Sequence, residues 1–477
     1  MPLNRSHSGG ESITDGLTAY VAEWVLGLAY ESLPNLVRRQ ALEHIYDGYG
    51  LALSARHEES HKIIRKYVES QGGDRAVGIW GTSQRVSASL AALVNGLAIH
   101  ALDYDDTQLS TNPASVYGLL THPTAPVLAA AAAVAEMVGA SGKDLITAYV
   151  GGVEVACRLA DAMYPRHYND GFHSTGTVGA LGAVAAAGKL LELDESQMRI
   201  AFGIAAPLGG GYRENFGTMT KPLHAGIAAS AGVTAAWLAR EGFTASDSIL
   251  EAARGFFSAA AGGYERERVQ GRLGNPYYFE DPGVSIKPYP CGSLSHPALD
   301  GILSMIYEYD IHPERVVEVV AYTNSAMLNA LIYRYPKTDL EAKFSLAFLL
   351  AAAVLFRRVG IHEFRDDIVH RDDVHAMIGR CHHRSDPEID KRGFQHMETR
   401  IVITLDDGRN LERTEWRASG HPKKPMSAKQ LQAKFAECAS MTLTPEETER
   451  ASQRIWRLET LNSVGAVHEA LIPRSAV

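Results

Sequence analysis

The sequence predicts a mainly α protein with an α+β part. It reads as a large all-helical domain built from both chain ends, 1–268 and 419–477, with a smaller α+β lid domain, 269–418, inserted between them. Three observations predict this. Segments dominated by Ala, Leu, Val and Gly follow one another from 17 to 265. Near Gly271 that character stops, and beyond it β-branched alternation appears. After Gly420-His421-Pro422 the helical pattern returns, and such a returning tail is expected to dock on the first helical body.

The segments 36–53, 87–98, 125–138, 142–163, 177–191 and 226–240 read as helices. Their small residues require close approach and burial on most sides. Asp194-Glu195-Ser196-Gln197 and Thr244-Ala245-Ser246-Asp247 carry N-cap and first-turn chemistry for two more. Between 271 and 290, Gly, Pro and Tyr are dense, as in an irregular crossing linker. The run 315–323 alternates as a strand, and 399–405 with 410–417 is a hairpin turned by Asp407-Gly408. Helices are expected at 294–309, 341–359, 427–438 and 445–461.

The 477 residues carry a net charge of −9, with 46% hydrophobic and 21% charged residues. That balance argues against a nucleic acid or an anionic membrane as partner. Apolar runs such as 125–135 are too short to span a bilayer. The four cysteines are scattered without a CxxC pair, and 1–15 is polar with no apolar signal core; both point to a reducing cytoplasm.

The candidate chemistry begins at His100-Ala101-Leu102-Asp103-Tyr104-Asp105-Asp106-Thr107. Three carboxylates in four residues repel one another, so they need cations, a metal or a shared proton, unless the stretch is a solvated loop capping a helix. Four further motifs repeat one design: a Gly- and hydroxyl-rich turn, a His or Lys, then a buried helix. They carry His122 (121–124), His173 with Thr177 (171–177), Lys221 with His224 (215–224), and His296 (291–297). Helix starts offer free N–H groups to carboxylates, and histidines supply acids and bases at neutral pH. Converging, these motifs would make a site for a small polyanion. No phosphate loop, GxSxG elbow or complete calcium loop is present, and Cys381-His382-His383 reads as a solvated face rather than a metal site.

Taken in order, the 100–107 segment, Thr121-His122-Pro123, the 171–177 and 215–224 blocks and Lys287-Pro288-Tyr289-Pro290-Cys291 resemble the MmgE/PrpD family. Segments 341–345 and 420–423 extend the resemblance over nearly the whole chain. The family includes 2-methylcitrate dehydratase, cis-aconitate decarboxylase and iminodisuccinate epimerase. The resemblance implies a helical domain with an α+β lid, a homodimer, and catalysis on a small anionic carboxylate without metal or organic cofactor. It implies catalytic roles for Asp103, His122, His173 and Lys221, and substrate contacts from Thr107, Thr177, His224 and His296. Phe348 stands where the decarboxylase pattern has a tyrosine, a departure that argues against strict cis-aconitate decarboxylation. Three readings follow: a dehydratase or decarboxylase, an epimerase of a small dicarboxylate, or a non-catalytic carboxylate-binding homologue.

Overall fold

The computed structural model describes residues 16–112, 116–163, 166–328, 331–393 and 397–474. The polar N-terminal stretch singled out above, 1–15, lies outside them. The main helices of the first part are α1 (Leu17–Gly27), α2 (Asn35–Ser54) and α3 (Ala88–His100). A two-residue strand β1 (Thr107–Gln108) precedes α4 (Thr124–Val138), α5 (Gly142–Met163), α6 (Ser174–Leu190), α7 (Glu195–Leu208) and α8 (Thr220–Arg240). Strand β2 (Val284–Ser285) pairs antiparallel with β1 and so ties the Gly/Pro/Tyr-rich stretch to the Asp-rich segment.

The small residues set how closely these helices pack. A Cβ on Gly226 of α8 would sit 2.3 Å from the Leu93 carbonyl of α3. Gly152 of α5 and Gly182 of α6 face each other, and a Cβ on either would lie 2.6 Å from the other's carbonyl oxygen. Gly176, Gly179 and Gly182 of α6 form one contact surface: a Cβ on them would lie 2.1, 2.7 and 2.6 Å from atoms of Gly210, Pro126 and Gly152. The Asp194 capping box opens α7 as expected. The expected helix at Thr244 does not form: 247–254 is a chain of turns, and the next helix is Phe256–Ala261.

The second part holds α9 (His296–Glu308), β3 (Val316–Thr323), α10 (Leu346–Phe356), β4 (Cys381–Ser385), β5 (Thr399–Leu405) and β6 (Asn410–Glu415). The sheet order is β4-β3-β5-β6, with β3 parallel to β4 and the other pairs antiparallel. In β5, Thr399, Ile401, Ile403 and Leu405 alternate inward, and Gly408 at φ 83 turns the hairpin. Strand β4 was not expected from Cys381-His382-His383. Its Cys381 is buried, His383 bonds the Thr323 hydroxyl at 2.7 Å, and His382 faces Glu318, so the trio diverges. The single helix expected at 341–359 is broken at 343–345, where Lys343 turns inward.

The chain then returns through α11 (Ala428–Ala439), α12 (Pro445–Trp456) and α13 (Gly465–Leu471). Apolar burial falls mainly into two bodies. One joins α1 to α8 with Leu431, Phe435, Ile455 and Leu471 of the returning helices; the other runs from Cys291 to Leu405. Among the described residues no helix is long and apolar enough to cross a membrane.

Candidate active site

Helix α3 ends at His100 and the chain turns sharply. Asp103 takes φ 53, a left-handed conformation that non-glycine residues adopt sparingly, and Leu120 does the same at φ 53. The turn is pinned by three lysines from distant parts of the sequence. Lys343, Lys287 and Lys434 donate to the successive carbonyls of Leu102, Asp103 and Tyr104 at 2.9, 2.8 and 3.0 Å. Lys434 also pairs with the buried carboxylate of Asp47 at 2.7 Å.

This segment forms the floor of a cavity of about 740 Å³ between the two apolar bodies. All four helix-start motifs reach it. Leu120 and His122 precede α4, Gly171 precedes α6, Gly217 and Lys221 open α8, and Gly292, Ser293 and Leu294 lead into α9. Helix α8 begins six residues before its expected start because Pro222 fits the first turn, where no N–H is needed. That places Lys221 inside the helix and aims it at Asp103. The Lys221 ammonium bonds one oxygen of the Asp103 carboxylate, and Lys287 Nζ lies 3.2 Å from the other. Burial works to raise the Asp103 pKa, but Lys221 and Lys287 overcome it and hold the group well below the usual carboxylate range. Thr107 reaches Ser293 hydroxyl to hydroxyl at 3.3 Å across the floor.

His122 also lines this cavity. Its Nδ1 is 2.7 Å from the Asp106 carbonyl, which can only accept, so Nδ1 carries the hydrogen and Nε2 keeps its lone pair. Burial first, with Lys287 and Lys221 adding to it, pushes His122 down to about 3, so it is neutral near pH 7. Behind it, both Asp105 oxygens lie 2.9 Å from His100 Nδ1, and one is 3.6 Å from His122 Nδ1. Burial raises the Asp105 carboxyl to about 6. Asp106 faces the helical core: it accepts from His44 Nδ1 at 2.8 Å and from the N–H and hydroxyl of Thr124. Those hydrogen bonds outweigh burial and keep Asp106 low.

Asp103, Thr107, His122 and Lys221 thus meet on one floor. His173 and His224 stand behind it, joined Nδ1 to Nδ1 at 3.0 Å, with the His173 ring 5.0 Å from that of the cavity residue Phe216. Burial depresses both histidines, His173 strongly. Two expected substrate contacts lie elsewhere. The Thr177 hydroxyl is buried against His167 Nε2 at 2.7 Å, and His296 turns its Nε2 to the Cys291 carbonyl at 3.2 Å. Sequence reasoning did not place Lys287 or His100 in the site. Lys287 sat in the stretch read as linker, although a lone lysine between Ile286 and Pro288 was a usable signal.

His100, Asp105 and His122 are the one group among the described residues whose donor atoms could surround a metal ion, all within 4.8 Å. The fit is poor. The Nδ1 donors are already engaged, and Lys221 and Lys287 are close enough to help depress both histidines, a field that opposes a further cation. Phe348 is buried in the second core against Phe364 and is not part of the cavity wall, to which Phe344 contributes instead.

Two family models cover most of the chain: the MmgE/PrpD N-terminal domain over 19–269 and the MmgE/PrpD C-terminal domain over 289–459. The chain belongs to the MmgE/PrpD family. Within it, the sequence is 27% identical over 466 residues to a mouse cis-aconitate decarboxylase, covering 95% of this chain and 93% of that one. It is 28% identical to the human cis-aconitate decarboxylase over 93% and 92% of the two chains, and 25% identical to that of Aspergillus terreus over 97% of each.

Proposed function

We propose that this protein, a lyase of the MmgE/PrpD type, acts on a small di- or tricarboxylic acid by proton transfer at the carbon beside a carboxylate. The observation that carries the reading is the convergence of Lys221 and Lys287 on the cavity floor next to a neutral His122. A substrate carboxylate at the floor takes up donors of both ammonium groups. Charge that spreads onto its oxygens in an enediolate-like state is then met by fixed positive charge in a partly dry site. Asp103 keeps the two lysines from repelling each other when the site is empty.

His122 is the proton carrier in this reading. Its Nε2 lone pair takes the proton from carbon, and the resulting imidazolium returns it to a leaving hydroxyl, which departs as water. In a decarboxylation the bond to CO2 breaks and its electron pair spreads onto the carboxylate held by the lysines. Carbon then takes a proton from a His122 whose charged form the substrate carboxylates favour. The names of the relatives support decarboxylation as the outcome. The two apolar bodies correspond, we propose, to a helical domain, 1–268 with 419–477, and an inserted α+β domain, 269–418.

The test is incubation with cis-aconitate, 2-methylcitrate and related acids, following release of CO2 and water and entry of solvent deuterium. Release of either product supports the reading. Absence of turnover and of deuterium exchange across the panel would overturn it.

A further inference from the structure

The cavity is much larger than its polar floor, and its walls differ in character. Besides Asp103, Thr107 and His122 the lining takes in Leu120, Phe216, Leu294, Leu331, Ile332 and Phe344, together with three tyrosine rings, one of them Tyr333. Four of the first six, Leu294, Leu331, Ile332 and Phe344, come from the second part of the chain. At about 740 Å³ the space lies in the range of pockets that hold ligands much bigger than a bare tricarboxylate.

The charges on the wall also sum in an unexpected way. Among the described residues that line the cavity the cations are Lys221, Lys287 and Arg213, and the anions are Asp103, Asp170 and Glu214. Lys221 and Lys287 both engage Asp103. The Arg213 guanidinium lies 4.0 Å over the Tyr168 ring and donates to the Tyr168 carbonyl at 3.1 Å. Three positive charges face three negative ones, so a compact trianion has no net positive wall to enter. An acid with fewer carboxylates and a hydrocarbon portion is matched on both counts.

Building on the carboxylate site proposed above, we infer that the preferred substrate is a dicarboxylic acid bearing an alkyl or aryl arm, its carboxylates at the lysine floor and its arm along the Leu331–Phe344 side. The arm displaces water from apolar surface, so affinity grows with arm length. The probes are succinate, 2-methylsuccinate, 2-butylsuccinate, 2-benzylsuccinate and tricarballylate, titrated calorimetrically into the intact protein.

The expected result is a Kd that tightens about threefold to fourfold for each carbon of the alkyl arm, with tricarballylate binding more weakly than 2-butylsuccinate. Phe344→Ala flattens the series. Affinity that is flat or falls with arm length, or tricarballylate binding tightest, would overturn this inference while leaving the carboxylate site intact. If no acid binds, or if Lys221→Ala binds every probe as the unaltered protein does, the carboxylate reading itself fails, and this inference with it.

Discussion

The cavity side and the core side of the 100–107 segment use the same residue type for opposite ends. Asp103 faces the cavity, held ionised between two lysines in a left-handed turn. Asp106, three residues on, faces the core and spends all its oxygen contacts on His44 and Thr124. Asp105 lies between them, buried among histidines and titrating near 6. What separates these carboxylates is the set of groups that meets each one. One side is built for an incoming anion, the other for fixing the loop.

The largest expected effect is on the cavity side. Lys221→Ala removes one of the two ammonium groups that meet developing charge, and turnover should fall about 10²- to 10³-fold, while Asp103 keeps Lys287 as a partner, so the stability cost should stay below that of Asp106→Ala. Steady-state kinetics beside urea unfolding checks both halves. Asp106→Ala should reverse the pattern. It strands His44 and Thr124 without their buried acceptor and should cost about 3 to 5 kcal/mol of stability, read from the urea midpoint. A loss of activity with no loss of stability in Asp106→Ala would erase the distinction between the two sides.

Acid should affect the site histidines and Asp105 in opposite directions. Burial, the leading cause in each case, lowers His122 to about 3 and depresses His100, His173 and His224. The unfolded chain therefore binds more protons than the folded one below about pH 6.5, and stability falls as pH drops through that range. Asp105 runs the other way: its folded pKa, about 6, lies above the unfolded value, so its contribution is present in acid and lost as pH rises through 6. The histidines outnumber it, so the protein should lose stability between pH 7 and pH 5. Asp105→Asn should become relatively more stable as pH rises over the same span, by roughly 1 to 2 kcal/mol. Unfolding midpoints at pH 5, 6 and 7 decide the sign. The smallest effect belongs to Thr177→Val, which loses the His167 bond and the long bond to the Ser174 carbonyl: about 1 kcal/mol of stability and less than a fewfold change in turnover.

Much of this was legible in the sequence for a physical reason. A helix start carries its own signature, and the four motifs, those that carry His122, His173 and Lys221 and the 291–297 turn, all reach one cavity. What escaped notice were partnerships across long separations. Lys287 lay in a stretch whose Gly, Pro and Tyr content signals irregular backbone, with nothing to mark its target at Asp103. Lys343 sat inside a helical pattern, yet it lies where that pattern breaks, before the Ser345 cap of α10, and its ammonium bonds the Leu102 carbonyl. Strand β4 was missed because its alternate residues are His and Arg at a sheet edge, which reads as solvated surface. Thr177 and His296 show the converse error: each stands in a motif that reaches the cavity, but its side chain points into packed protein.

A crystal structure with succinate bound tests the central claim most directly. The account predicts a carboxylate within hydrogen-bond distance of Lys221 Nζ and Lys287 Nζ, with the adjoining carbon facing His122 Nε2. A succinate bound away from the two lysines, with the Asp103 floor left as it is in the free protein, would contradict it.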